Sequence, residues 1–129
     1  MSSESLHESA EVIGAETVDT HRAIVSLMEE LEAIDWYNQR AKATTNPDLR
    51  AIFEHNRDEE KEHAAMALEW LRRTDPKFAQ HLKTFLFTEG PITGIEATMA
   101  EPGGEAEDGL DDGSLGIGSL RSTTGQVTK

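Results

Sequence analysis

The stretch EEKEHAAMALEW, from Glu59 to Trp70, decides the fold of this chain and much of its chemistry. Its apolar residues recur at helical spacing, which predicts an amphipathic helix. A projection that advances about 100° per residue places Glu60 at the centre of the apolar face and His63 beside it, one turn further on. This placement needs an explanation, because an ionised carboxylate in an apolar interior is costly unless a charge or a metal compensates it.

The helix that contains this stretch has sequence signals at both ends. Asn46 is a good N-cap and Pro47 suits the first helical position, so the helix is expected to begin there. It should end at Arg73, before the sequence Thr74-Asp75-Pro76. These signals predict one long helix with Glu60 near its middle.

A second long helix precedes it, from about Ser9 to Ala43. Gly14 should lower the stability of this helix but does not predict an end of the helix. The connection between the two helices is so short that they should form an antiparallel hairpin. The predicted core stripe of the first helix consists of four aliphatic residues at helical spacing, Ile24, Leu27, Leu31 and Ile34.

The rest of the chain divides by composition. A short third helix is predicted after Pro76, and one or two further turns between Ile92 and Thr98. The predicted organisation is a disordered N-terminus at 1–8, a helical domain at 9–98, a flexible acidic linker at 99–113 and a tail at 114–129. The tail contains an apolar island, Leu115 to Leu120, in surroundings too polar to fold alone.

Composition excludes several classes of function. The formal net charge is -13, from 25 acidic and 12 basic residues, which argues against nucleic acid as a partner. The chain has no cysteine, so a disulfide framework or a thiolate metal site is impossible. We expect no secretory signal and no membrane span, and therefore a cytoplasmic protein. Any metal must be held by oxygen and imidazole nitrogen.

The first helix supplies a partner for Glu60 and His63. Glu30 lies at the edge of its apolar stripe, whereas Glu29, Glu32 and Trp36 lie on a different side. A glutamate on one helix that faces Glu-x-x-His on the next is half of the di-metal motif of four-helix bundles. A two-fold dimer of hairpins would complete the set and balance the charges of two divalent ions. Such ligation suits iron or manganese, with zinc as an inert competitor.

Other interpretations of these residues stay open at this point. Glu-x-x-His by itself is a weak signal, and a lone histidine is more often a hydrogen-bonded core residue. The same ligands also suit a di-metal peroxidase or a manganese protein. A third alternative is a metal-free helical adaptor that uses only its tail.

The chain resembles the encapsulated ferritins in three stretches, His21 to Arg40, His55 to Arg73 and Thr84 to Thr93. The resemblance implies a di-iron ferroxidase that oxidises Fe(II) with dioxygen for iron storage. It implies a two-helix ferritin-like protomer whose dimer forms a four-helix bundle, and an annular decamer of five dimers. It also implies residence in an encapsulin nanocompartment, with Leu115 to Leu120 as the peptide that binds the shell protein.

The resemblance also assigns roles to residues. Its ferroxidase ligands are Glu30, Glu60 and His63, shared between two subunits. A tyrosine near the iron corresponds to Tyr37. A second, outer metal site on the iron entry route is implied, where calcium or zinc can also bind, and further metal positions are weakly implied. The outer site corresponds to Glu29, Glu32 and Trp36, and the weaker positions to His55 and Glu59.

Overall fold

The computed structural model of the protein describes residues 5–99. Within this range the chain is entirely helical, which confirms the predicted all-α class. The four helices are α1 (Ala10–Ala43), α2 (Pro47–Thr74), α3 (Pro76–Phe85) and α4 (Ile92–Met99). Positions 1–4 of the predicted N-terminal segment, the linker beyond residue 99 and the tail at 114–129 lie outside the described residues. In the described part, no helix combines the length and apolarity needed to cross a bilayer.

Capping residues set the ends of the two long helices. The Ser9 side chain accepts a hydrogen bond from the backbone N–H of Val12 at the start of α1. Asn46 does the same for Leu49 at the start of α2, at 2.9 Å, and Pro47 follows it as predicted. Each cap satisfies a backbone N–H that has no partner inside its helix.

The turn between α1 and α2 is closed by an arginine of α2. Arg50 donates from Nε to the carbonyl oxygen of Ala41 at 3.1 Å, and from its Nη2 group to the carbonyl oxygen of Thr44. These carbonyls belong to the C-terminal end of α1, where intrahelical donors run out. The arginine therefore ties the two helices together at the predicted hairpin turn.

Gly14 departs from the sequence expectation. Its backbone angles are φ 89° and ψ 162°, which are not helical, so α1 is kinked there. This combination belongs to a region that essentially glycine alone adopts. Gly14 therefore separates a first helical turn at 10–13 from the rest of α1.

The hairpin has a thin apolar interior. Among the described residues, the buried hydrophobic side chains are Ala41, Ala64 and Leu71. Two members of the predicted core stripe of α1 are not covered: Leu31 is 54% exposed and Ile24 is 42% exposed. One neighbouring helix covers a narrower arc than the stripe occupies, so part of the predicted stripe stays exposed in the single chain.

The chain divides into two compact units, with the boundary between Lys83 and Thr84. The first unit contains the α1–α2 hairpin. In the second, Phe87 has a positive φ of 59° and a fully exposed side chain. Gly90, with φ 90°, follows shortly before α4. The predicted break at Gly90-Pro91 is therefore a turn that uses the freedom of glycine.

Candidate metal centre

Three acidic and imidazole side chains meet in the middle of the hairpin. Glu30 comes from α1, and Glu60 and His63 come from one face of α2, one turn apart. One ligand atom from each lies within 4.8 Å of the other two. The Nδ1 atom of His63 is 3.2 Å from Oε1 of Glu60 and 3.7 Å from Oε1 of Glu30. The helix projection and the hairpin together thus place the predicted ligands side by side.

The cluster is partly withdrawn from solvent. The side chain of Glu60 is 22% exposed, that of Glu30 is 27% exposed, and that of His63 is 43% exposed. The two carboxylates are therefore the more shielded members, and the imidazole forms the open edge. A metal ion could reach the carboxylates from this edge without unfolding of the hairpin.

The three groups of the cluster shift one another's pKa values. The pKa of Glu30 is raised, first by a hydrogen bond shared with Glu60 and then by burial. The pKa of Glu60 is lowered by the same hydrogen bond, with a further contribution from His63. The pKa of His63 is raised, mainly by its hydrogen bond to Glu60. The raised pKa values favour a proton on Glu30 and on His63, whereas the lowered pKa keeps Glu60 ionised.

The donor set fits a divalent transition metal. It offers carboxylate oxygen and imidazole nitrogen, which is the combination used for iron and manganese in helical bundles. Among the described residues, no lysine or arginine contributes to the pKa shifts of Glu30, Glu60 or His63. The cationic partner beside both carboxylates is the titratable His63 imidazole, whose proton a bound metal would displace. One chain supplies three ligands, which is half of a bridged di-metal set.

Tyr37 lies near this centre along α1 but outside the cluster. It is two helical turns from Glu30, which is about 10 Å along the axis. Its ring packs against Phe53 of α2, with the centroids 6.2 Å apart, and Arg40 lies over it at 5.3 Å. Within one chain, Tyr37 thus stabilises the hairpin, and its predicted place beside iron stays a prediction.

The predicted outer residues lie on the exposed side of α1. Glu29 and Glu32 are exposed, and so is about half of Trp36. Within the described residues of one chain, no third acidic side chain or histidine lies close enough to Glu29 and Glu32 to complete a metal-binding group. Of the weakly implied positions, His55 lies 3.4 Å from Glu59 as an exposed pair on α2. The roles of all five residues stay predictions.

Two arginines that connect the helices were not singled out from the sequence. Arg50 closes the hairpin turn, and Arg57 donates to Asn38 of α1 at 3.1 Å. No sequence signal distinguished them, because arginine on a highly charged helix is usually a solvated residue. Their reach across the hairpin is visible only once the two helices are side by side.

The EncFtn-like family matches residues 5–89, a range that includes all three clustered residues and the whole hairpin. The chain belongs to the EncFtn-like family. This confirms the resemblance noted from the three sequence stretches.

Relatives of this EncFtn-like chain share most of its length. The encapsulated ferritin-like protein of Rhodospirillum rubrum is 66% identical over 126 residues, covering 93% of this chain and 90% of the relative. A ferritin-like protein of Thermotoga maritima is 48% identical over 114 residues, covering 88% and 96%. The encapsulin nanocompartment cargo protein EncC of Myxococcus xanthus is 36% identical over 104 residues, covering 75% and 80%.

The same fold is present in a solved structure. A crystal structure of a Nitrosomonas europaea protein matches with a TM-score of 0.66 and 59% sequence identity. The match covers 67% of this EncFtn-like chain and 96% of that chain. The helical arrangement described above is thus shared with a crystallised protein of similar sequence.

Proposed function

We propose that this protein is a ferroxidase that oxidises Fe(II) to Fe(III) with dioxygen, at a di-iron centre shared between two chains. The observation that carries the proposal is the cluster of Glu30, Glu60 and His63, in which one ligand atom from each residue lies within 4.8 Å of the others. Membership in a family with ferritin-like relatives favours iron as the metal.

The exposed apolar residues support a dimer. Each chain contributes one half of the ligand set, and a two-fold axis through the centre would duplicate it. Leu31 and Ile24 on α1, and Ile52 and Trp70 on α2, are large apolar side chains left open to solvent. Their burial against a second hairpin would form a four-helix bundle and supply the core that one hairpin lacks. We further propose that five such dimers assemble into a ring.

The roles of the residues follow from their positions. Glu30 and Glu60 would hold the iron, and their negative charge would offset the positive charge that accumulates as Fe(II) becomes Fe(III). His63 would bind through a neutral ring nitrogen after its proton leaves. Iron supplies the electrons that reduce dioxygen, and the protein sets the separation, charge and access of the ions. Protons on Glu30 and His63 would leave as iron binds, because ligands coordinate in their deprotonated forms.

The remaining predicted residues are proposed to serve this centre. Glu29, Glu32 and Trp36 would form an outer site on the route of iron, where calcium or zinc can also bind. Tyr37 would lie close to the iron of the assembled dimer. His55 and Glu59 would hold an additional cation. The three residues of the outer site, together with His55 and Glu59, are exposed in the single chain, so a cation can reach them from solvent.

The place of action is proposed to be the interior of an encapsulin shell. Two Myxococcus xanthus relatives are named as encapsulin nanocompartment cargo proteins. The address would be the apolar island from Leu115 to Leu120, at the end of an acidic tether. Deleting residues 114–129 should abolish packaging into co-expressed shells and leave Fe(II) oxidation by the free protein unchanged. Packaging that survives the deletion would assign the address to the helical body.

One experiment tests the catalytic proposal. Elemental analysis of the purified protein is combined with aerobic Fe(II) oxidation, followed by dioxygen consumption and by the absorbance of the ferric product. We expect iron-dependent dioxygen consumption that exceeds the rate without protein. Peroxide turnover with manganese but no Fe(II) oxidation would favour a di-metal peroxidase. Absence of both activities and of bound metal would leave a cargo adaptor.

A further inference from the structure

The metal centre depends on the register between α1 and α2. Its ligands come from both helices, so a slip of one residue would move Glu30 by about 1.5 Å along the axis and would also turn it. The Tyr37–Phe53 ring contact opposes such a slip, but few apolar side chains are fully buried. Of the described residues, the buried ones are two alanines and one leucine, Ala41, Ala64 and Leu71. Small side chains form shallow ridges, so they specify register weakly.

A polar contact between the helices begins one turn from Glu60 on α2 and reaches α1 at Asn38, about two turns beyond Glu30. Arg57 of α2 donates from Nη1 to Oδ1 of Asn38 on α1, at 3.1 Å. Its Nε donates to Oδ1 of Asp58 at 3.0 Å. The Arg57 side chain is 20% exposed, whereas that of Asp58 is 59% exposed. The more shielded half of this contact therefore points between the helices, and Asp58 orients the guanidinium from the solvent side.

The planar guanidinium makes this contact directional. Two donors in a rigid fork are engaged by partners on different helices, so Arg57 resists both sliding and rotation. Arg57 is one turn before Glu60 on α2, close enough for its position to control that carboxylate. Its hydrogen bonds go to Asn38 and Asp58 and not to a proposed ligand, so its influence on the centre would act through the position of α2 against α1.

We propose that Arg57, held by Asp58 and bonded to Asn38, is a positioning residue that sets the register of α1 on α2 and hence the fit of the metal centre. This inference rests on the proposed function for its kinetic consequence. Its effect on metal affinity follows from the cluster geometry alone. Partners bonded directly to metal ligands typically change affinity or activity by about 10–100-fold when removed, and Arg57 acts one step further out, so the lower end of that range is expected.

The test compares matched arginine variants. Arg57→Met removes the fork and keeps a long helix-forming side chain. Arg50→Met is the control, because Arg50 also connects the two helices, but at the hairpin turn. Asn38→Ala and the double variant Arg57→Met/Asn38→Ala form a double-mutant cycle. Co(II) affinity of folded protein is measured by calorimetry and visible absorption, together with Tm by circular dichroism and kcat and KM for Fe(II).

We expect Arg57→Met and Asn38→Ala each to weaken Co(II) binding and to lower kcat by about tenfold or more. The double variant should lose little beyond either single one. Arg50→Met should lower Tm but keep Co(II) affinity and kcat. Arg57→Lys should not restore the wild-type values, since an ammonium lacks the fork.

Outcomes for the two proposals are distinguishable. Wild-type Co(II) affinity and kcat in Arg57→Met would overturn the positioning role. So would equal losses in the Arg57 and Arg50 variants that follow their Tm values. A wild-type protein that binds Co(II) but does not oxidise Fe(II) would overturn the proposed function. The Co(II) affinities would still decide the role of Arg57.

Discussion

Two glutamates of the same helix show opposite solutions to the same electrostatic problem. Near the end of α2, Glu69 accepts hydrogen bonds from Arg72 at 2.8 and 2.7 Å and from Arg73 at 2.7 Å. These arginines lower its pKa to about 2. In the middle of α2, Glu60 meets Glu30 and His63 instead. Glu69 is paired with two permanently charged arginines, whereas Glu60 is paired with a titratable histidine and a second carboxylate.

The difference supports the proposed position of a bound cation. Glu69 lies on an exposed face, and its arginines satisfy it at little cost in desolvation. Glu60 and Glu30 are more shielded, and the positive charge beside them is a titratable imidazole. An arrangement of this kind is poorly suited to stability and well suited to binding a metal ion. Experiments on variants of the two glutamates can test this contrast.

The largest expected effect comes from removal of a ligand. Glu60→Ala or His63→Ala should reduce both metal affinity and Fe(II) oxidation by at least about a hundredfold, since even supporting partners cost 10–100-fold. Glu69→Ala, the same type of change nine residues later on α2, should leave both unchanged. Calorimetry and oxidation assays on the three variants check this. Equal losses in all three would erase the proposed distinction between the two glutamates.

Metal binding at the Glu30, Glu60 and His63 cluster, and not at Glu69, should promote assembly. A cation that binds two half-sites favours the dimer by mass action. Adding anaerobic Fe(II) should therefore shift wild-type protein toward larger oligomers in native mass spectrometry. The shift should persist in Glu69→Ala and vanish in Glu60→Ala. An oligomer distribution that ignores Fe(II) in the wild type would contradict the shared centre.

The pH dependence of metal binding follows from the raised pKa of His63. Its hydrogen bond to Glu60 moves the pKa upward from the usual 6.5, so a proton competes with metal at and somewhat above that pH. Glu30, whose pKa is also raised, holds its proton to higher pH than an isolated glutamate. Metal affinity should thus fall as pH decreases through neutrality. Isothermal titrations with Co(II) across this range measure it, and a flat profile would exclude proton competition.

A smaller effect is expected at the outer face of α1. Glu32→Ala leaves Glu30, Glu60 and His63 intact and alters only the arrival of iron. The oxidation rate should change by a few-fold at most, in either direction, because an outer site can retain iron as well as attract it. Stopped-flow oxidation at several Fe(II) concentrations measures this change. A loss as large as that of Glu60→Ala would place Glu32 in the centre itself.

The smallest effect concerns stability at the arginine-bound glutamate. Because the pKa of Glu69 is lowered from 4.5 to about 2, its contribution is present above 4.5 and is lost as pH falls towards 2. Glu69→Gln should lower Tm slightly at neutral pH, since exposed ion pairs contribute little. The difference from wild type should disappear in acid. A difference that grows in acid would assign Glu69 another role.

Much of the local structure was predictable from the sequence. Asn46 and Pro47 marked the start of α2, and Ser9 lies at the start of α1 as predicted. The projection that placed Glu60 and His63 on one face was confirmed by their proximity. These features depend on neighbours within about one turn, and such neighbours are close in sequence. The kink at Gly14 escaped prediction because glycine is compatible with both helical and non-helical angles.

Only the tertiary structure decided how the two helices meet. Helical periodicity placed Glu30 at the edge of a stripe, but its contact with Glu60 and His63 depends on the register and rotation of α1 against α2. The same is true of Arg57 and Asn38, and of Leu31, which the hairpin leaves uncovered. Such contacts join residues far apart in sequence, so no local pattern encodes them. The sequence determined which side chains share a helix face, and the packing of the faces decided that they form one centre.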